Sequence, residues 1–82
     1  MEAEENLRKQ IVASNLRRAR QAAGISQEEL GARIGVDRRQ INQWECAHHE
    51  PRSRRLHEIA AALGVPLSYF YVEHPPEAEA AC

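Results

Sequence analysis

An all-α domain is predicted by three features of this 82-residue chain. Apolar residues recur at three- and four-residue spacing, capping residues and glycines punctuate those stretches, and no run alternates as a strand does. One compact five-helix bundle over residues 1–72 accommodates all of them. With four aromatics (Trp44, Tyr69, Phe70 and Tyr71), aliphatic and alanine side chains must fill most of the single core that a chain of this size can build.

The first helix is predicted from about residue 3 or 5 to Ala23, with Val12, Leu16, Ala19 and Ala23 as its buried stripe. Leu7 and Ile11 carry an apolar strip upstream on a slightly rotated face. Gly24 suits the left-handed position that ends a helix. Ser26 followed by Glu29 forms a capping box that starts the second helix, whose inner face is Leu30 and Ile34. Gly35 stops it and Val36 plugs the turn. Asp37 caps the third helix, with Gln40 at the reciprocal position, and Ile41 and Trp44 point inward. Residues 47–52 make a loop closed by Pro51. A fourth helix, Ser53 to Leu63, turns Leu56, Ile59, Ala60 and Leu63 inward, and Gly64 stops it. Val65-Pro66 opens a short fifth helix containing Leu67 and Phe70. The acidic stretch 73–82, with its Pro-Pro pair and no periodicity, is expected to be a disordered tail.

The formal net charge of −1 conceals a basic centre. All eleven basic residues lie between Arg8 and Arg55, whereas six of the twelve acids lie outside residues 6–72, leaving that body at +5. Such a distribution fits a polyanionic partner better than the total charge suggests. Cys46 and Cys82 do not constitute a disulfide framework, and a bridge to the last residue is not expected. With no signal-like leader and no apolar run of about 18 residues, a cytoplasmic, nucleoid-associated location without membrane contact is expected. Cys46, His48 and His49 are too compact to close a zinc site, so no metal is expected. No cofactor loop or nucleophilic constellation is present, and no enzymatic activity is expected.

Residues 27–46 carry the most specific signal. Two short helices meeting at a steep angle need a small residue at their contact, supplied by Gly31, and a turn residue tolerant of positive φ, supplied by Gly35. The second of these helices opens with Arg38, Arg39 and Gln40 and carries Asn42 and Gln43 one turn on. These side chains match the hydrogen-bonding edges exposed in the DNA major groove.

Residues 12–70 resemble the Cro/CI-type (XRE) helix-turn-helix family, with its lambda-repressor-like fold. The resemblance is carried by Leu16 and Arg20, Gly24-Ile25-Ser26-Gln27-Glu28-Glu29-Leu30, Gly35-Val36, Ile41, Trp44-Glu45, Pro51, Ile59-Ala60 and Leu63-Gly64-Val65. It implies a transcriptional regulator, acting as a repressor, that binds double-stranded DNA at a near-palindromic operator as a homodimer. It implies base reading by Arg38, Arg39 and Gln43, with Gln40 and Asn42 nearby; phosphate contact is the alternative for the two arginines. It gives Gln27, beside Ser26, a grip on the DNA backbone, where capping alone is the alternative role. Arg20 and Glu45 match a structural ion pair between the first and third helices.

The sequence departs from the family beyond Glu45. A glycine is usual two residues later, and here Ala47 stands there, so the third helix runs on or Ala47 turns left-handed. The loop that is often basic holds His48 and His49, which with Arg52 are the candidate backbone contacts. Histidine changes charge between about pH 5 and 8, so phosphate contact there implies tighter binding at lower pH. Leu67, Phe70, Tyr71 and Val72 are the candidate dimer interface, with Leu7 and Ile11 the alternative. The competing reading is an antitoxin-like or adaptor module whose main partner is another protein.

Overall fold

The structure, a computed structural model, describes residues 2–73, with side chains from residue 6 onward. The expected disorder of the tail from 74 to 82 lies outside the described residues. Four α-helices, α1 (Glu2–Ala23), α2 (Gln27–Ile34), α3 (Arg38–Glu45) and α4 (Ser53–Leu63), are followed by a 3-10 turn, Leu67–Tyr71. Among the described residues there is no strand. The fifth helix of the sequence reading is therefore a single tightened segment rather than an α-helix.

Capping chemistry sets the boundaries. Ser26 accepts the backbone N–H of Glu29 at 3.0 Å, as the capping box requires, but the Glu29 carboxylate turns to Arg33 at 2.9 Å. Asp37 accepts the N–H of Arg39 at 3.3 Å and starts α3. Gly35 closes α2 at φ 76°, a left-handed conformation that glycine adopts without steric cost. A Cβ built on Gly31 would stand 2.5 Å from the Val36 carbonyl oxygen, so only glycine lets the turn fold back onto α2.

The core is assembled from one stripe of each element: Val12, Leu16, Leu30, Ile41, Trp44, Leu56, Ile59, Ala60 and Phe70. Burying a large aliphatic or aromatic side chain contributes about 1.5–3 kcal/mol each, which is how helices of eight residues persist at all. Ile34, Val36, Leu63 and Leu67 pack against this cluster from its edge. Ala23, expected within the stripe of α1, is exposed because the helix ends there and the chain turns away at Gly24.

Asn15 is a buried polar residue that the sequence reading passed over, and it explains the last segment. Its side chain is on the apolar stripe of α1 and its Nδ2 donates to the carbonyls of Tyr69 at 3.0 Å, Phe70 at 2.9 Å and Val72 at 2.8 Å. These carbonyls sit at the end of the Leu67–Tyr71 turn, where a helix leaves its last carbonyls without intrahelical partners. Asn15 supplies N–H partners to all three, which fastens the segment to α1.

Candidate nucleic-acid interface

The helix α3 buries Ile41, Trp44 and Glu45 and exposes Arg38, Arg39 and Asn42, with Gln40 and Gln43 half-buried. Helical periodicity puts Arg39 and Gln43 at the centre of the outward face. Arg38 and Asn42 border the side nearer the start of α2, and Gln40 borders the other. Among the described residues Arg38, Arg39 and Arg52 form no ion pair, whereas Arg33, Arg54 and Arg55 are engaged by Glu29 or Glu58. The guanidiniums left available include Arg38, Arg39 and Arg52, on or beside α3, and Arg17 of α1.

The expected pair between α1 and α3 is present and bidentate. Arg20 Nε donates to Glu45 Oε2 at 2.6 Å, and Nη2 donates to Oε1 at 3.1 Å. The Glu45 side chain is 2% exposed and that of Arg20 12% exposed, so this is a largely buried pair. Arg20 Nη1 also donates to the Ile25 carbonyl at 2.8 Å, tying the same guanidinium to the turn before α2. A buried pair of this kind is a weak net source of stability, yet it holds α3 in one orientation.

Gln27 takes a place that the resemblance did not specify. Its Nε2 donates to Glu45 Oε1 at 3.1 Å and to Asn42 Oδ1 at 3.2 Å. Both amide hydrogens face α3, which leaves the carbonyl oxygen as the group's remaining hydrogen-bonding atom. Ser26 remains exposed at the N-terminus of α2, with its hydroxyl oxygen committed to the cap.

Past α3 the departure from the family pattern is settled by Ala47, which adopts φ 61°. The helix stops at Glu45 instead of running on. The Ala47 N–H donates to the Trp44 carbonyl at 3.3 Å and the His48 N–H donates to the Gln43 carbonyl at 3.0 Å. This is the Schellman pattern of a glycine-ended helix, made here with alanine. His48 and His49 are exposed directly beyond it. Glu50, the acid of the same loop, is held by Arg8 of α1 at 3.3 Å. Arg52 precedes α4 with its side chain exposed and makes no capping bond.

Two expectations are corrected. Phe70 is fully buried in the protomer's own core, so it is unavailable to a partner. Its ring packs edge-on against Tyr69, and three residues per turn direct Phe70 inward while Tyr71 faces out. Leu67 is half-buried at the edge of the core, which leaves Tyr71, 46% exposed, Val72, 52%, and Leu7, 54%, as the large exposed apolar residues. The expectation against a structural bridge fails at Cys46, which is disulfide-bonded and lies half-buried at the end of α3. Among the described residues no three His, Cys, Asp or Glu side chains converge on a metal position. No described helix is long and apolar enough to cross a membrane.

Comparison with known proteins agrees with this geometry. The Helix-turn-helix family model matches residues 16–70. The uncharacterized transcriptional regulator in the ATPase CF(0) region of Rhodospirillum rubrum is 40% identical over 60 residues, covering 73% of this chain and 56% of that protein. An uncharacterized HTH-type transcriptional regulator of Sinorhizobium medicae is 36% identical over 64 residues, covering 78% of this chain and 46% of its own length. The chain thus spans about half the length of these curated relatives. The crystal structure of the hypothetical transcription factor NHTF from Neisseria superposes with a TM-score of 0.75 at 31% identity, covering 79% of this chain and 75% of that one. The chain belongs to the XRE-type helix-turn-helix family of transcriptional regulators.

Proposed function

We propose that this chain is a sequence-specific DNA-binding repressor, cytoplasmic and nucleoid-associated, that presents α3 to the major groove. The observation that carries the reading is the division of α3. Its inner face is consumed by the core and the Glu45 pair, and its outer face holds two unpaired arginines flanked by Asn42 and Gln43. Arginine donates bidentately to guanine O6 and N7, and each good pair contributes about 1–3 kcal/mol of discrimination. Exposed His48, His49 and Arg52, with the N-terminus of α2 at Gln27 and Ser26, border that face as backbone contacts.

A near-palindromic operator requires two copies with their α3 helices about 34 Å apart. Tyr71 and Val72, with Leu7 as the alternative, are the surfaces proposed for pairing. The same exposed apolar residues would also suit a different protein, as in an antitoxin or adaptor; a stoichiometric partner on purification would favour that role.

The deciding experiment is selection of bound sequences from a random duplex pool, followed by shift assays. Arg39→Ala is expected to lose discrimination at one base pair, whereas Arg52→Ala weakens all sequences alike and lowers the salt slope by about one. Binding without sequence preference refutes the reading. Tyr71→Glu and Leu7→Glu, weighed by mass in solution, separate the two pairing surfaces; a wild type that stays monomeric at high concentration refutes both.

A further inference from the structure

Resting on that DNA-binding reading, we infer that Gln27 is a positioning residue that turns the Asn42 amide so that it reads DNA as a donor. The polarity of the chain of contacts is determined from its buried end. Glu45 is a carboxylate in a bidentate pair with Arg20, so it only accepts hydrogen bonds. Gln27 must therefore turn Nε2, and not its carbonyl oxygen, towards Glu45, as the 3.1 Å contact records. The second hydrogen of the same Nε2 points at Asn42, which must answer with an acceptor, and Oδ1 does so at 3.2 Å.

The consequence falls on the exposed end. With Oδ1 turned to Gln27, Asn42 is left with the two N–H groups of Nδ2 unengaged, and among the described residues nothing accepts from them. An asparagine reads adenine bidentately by donating to N7 and accepting from N6, which needs both ends of the amide free. The held Asn42 has its accepting end aimed at Gln27 and its donating end left for the base. It suits sites that only accept, guanine O6 and N7 or thymine O4, and forgoes the bidentate adenine contact.

The test is selection from a random duplex pool with wild type, Asn42→Ala and Gln27→Met, which keeps the length of the side chain and removes its donors. Asn42→Ala identifies the operator position read by Asn42 as the one whose preference it erases. Wild type is expected to favour guanine or thymine there, and Gln27→Met to raise adenine by about fivefold or more while preferences elsewhere stand. A consensus unchanged in Gln27→Met with uniformly weaker binding shows a phosphate grip only and overturns the assignment. So does adenine dominating in the wild type, or an Asn42→Ala variant that erases no preference. A wild type that selects no sequence overturns the DNA-binding reading itself. A measurement on the free protein guards against a misfolded variant: the Gln27 side-chain amide protons should exchange more slowly than those of exposed Gln21, and part of that protection should vanish in Asn42→Ala. Equal exchange at Gln27 and Gln21 overturns the inference independently of DNA.

Discussion

Replacing Ala47 with glycine should stabilise this protein, although the same change at most helical positions destabilises. Ala47 holds φ 61°, where the Cβ of an L-residue crowds the following carbonyl oxygen at a cost of about 1–2 kcal/mol. The conformation persists because two backbone bonds close over it, Ala47 N–H to Trp44 and His48 N–H to Gln43. Glycine keeps both bonds and removes the crowding, while its unfolded chain is freer by about 0.4–1 kcal/mol. The expected net gain is about 0.5–1 kcal/mol, or roughly 3–6 °C in Tm for a domain of this size. Urea unfolding with an unchanged m-value measures it directly. Ala32→Gly, on the exposed side of α2, is the control and should lose about 0.5–1 kcal/mol. If Ala47→Gly loses stability as the control does, the left-handed strain is not there and the account of how α3 ends is wrong.

Three further perturbations follow from the same contacts. Arg20→Met leaves the Glu45 carboxylate buried without its counter-ion and should cost about 3–5 kcal/mol by urea unfolding, most of it recovered in the double variant Arg20→Met/Glu45→Met; additive losses would contradict the pairing. Asn15→Leu strands the carbonyls of Tyr69, Phe70 and Val72, so about 1–3 kcal/mol should be lost, with faster amide exchange over residues 67–72. If His48 and His49 touch phosphate, operator affinity should rise as pH falls from about 8 to 6, and the double variant to glutamine should flatten that dependence; a wild-type affinity constant over the range removes the contact.

Legibility in the sequence followed the locality of the cause. Helix borders were readable because caps act within four residues: Ser26 on Glu29, Asp37 on α3, the glycines at 24, 35 and 64. Gly31 was readable because a steep helix pair has one point of closest approach, and the Arg20–Glu45 pair because the resemblance carried both residues. Asn15 was not, since its three acceptors lie 54 to 57 residues away and nothing near it in the chain announces them. Phe70 belongs to the candidate interface only because the resemblance assigns pairing to the whole segment with Leu67, Tyr71 and Val72, and nothing local says which of these residues the chain's own core takes. The sequence left two outcomes open for Ala47, and the backbone bonds to Trp44 and Gln43 chose between them. The relay from Glu45 through Gln27 to Asn42 depends on three side chains meeting across two helices, and no spacing rule encodes that.

These contacts divide the outer face of α3 into residues that are free to change and one that is not. An eight-residue helix is too short to stand alone in water, so the pose of α3 comes from its surroundings. It is held by Asp37 at its start, by Ile41 and Trp44 in the core, by Glu45 on Arg20, and by the turn at Ala47. Arg38, Arg39 and Gln43 donate to none of these supports through their side chains. Substitutions at those three positions should therefore stay within about 0.5 kcal/mol of wild-type stability, as sites outside the core do, while altering the recognised sequence. Asn42 differs because its Oδ1 is already an acceptor for Gln27. A change there alters the environment of Gln27 and, through it, the buried carboxylate of Glu45. Specificity can be rewritten independently of the fold at three positions of the reading helix, and only together with its bracing at the fourth.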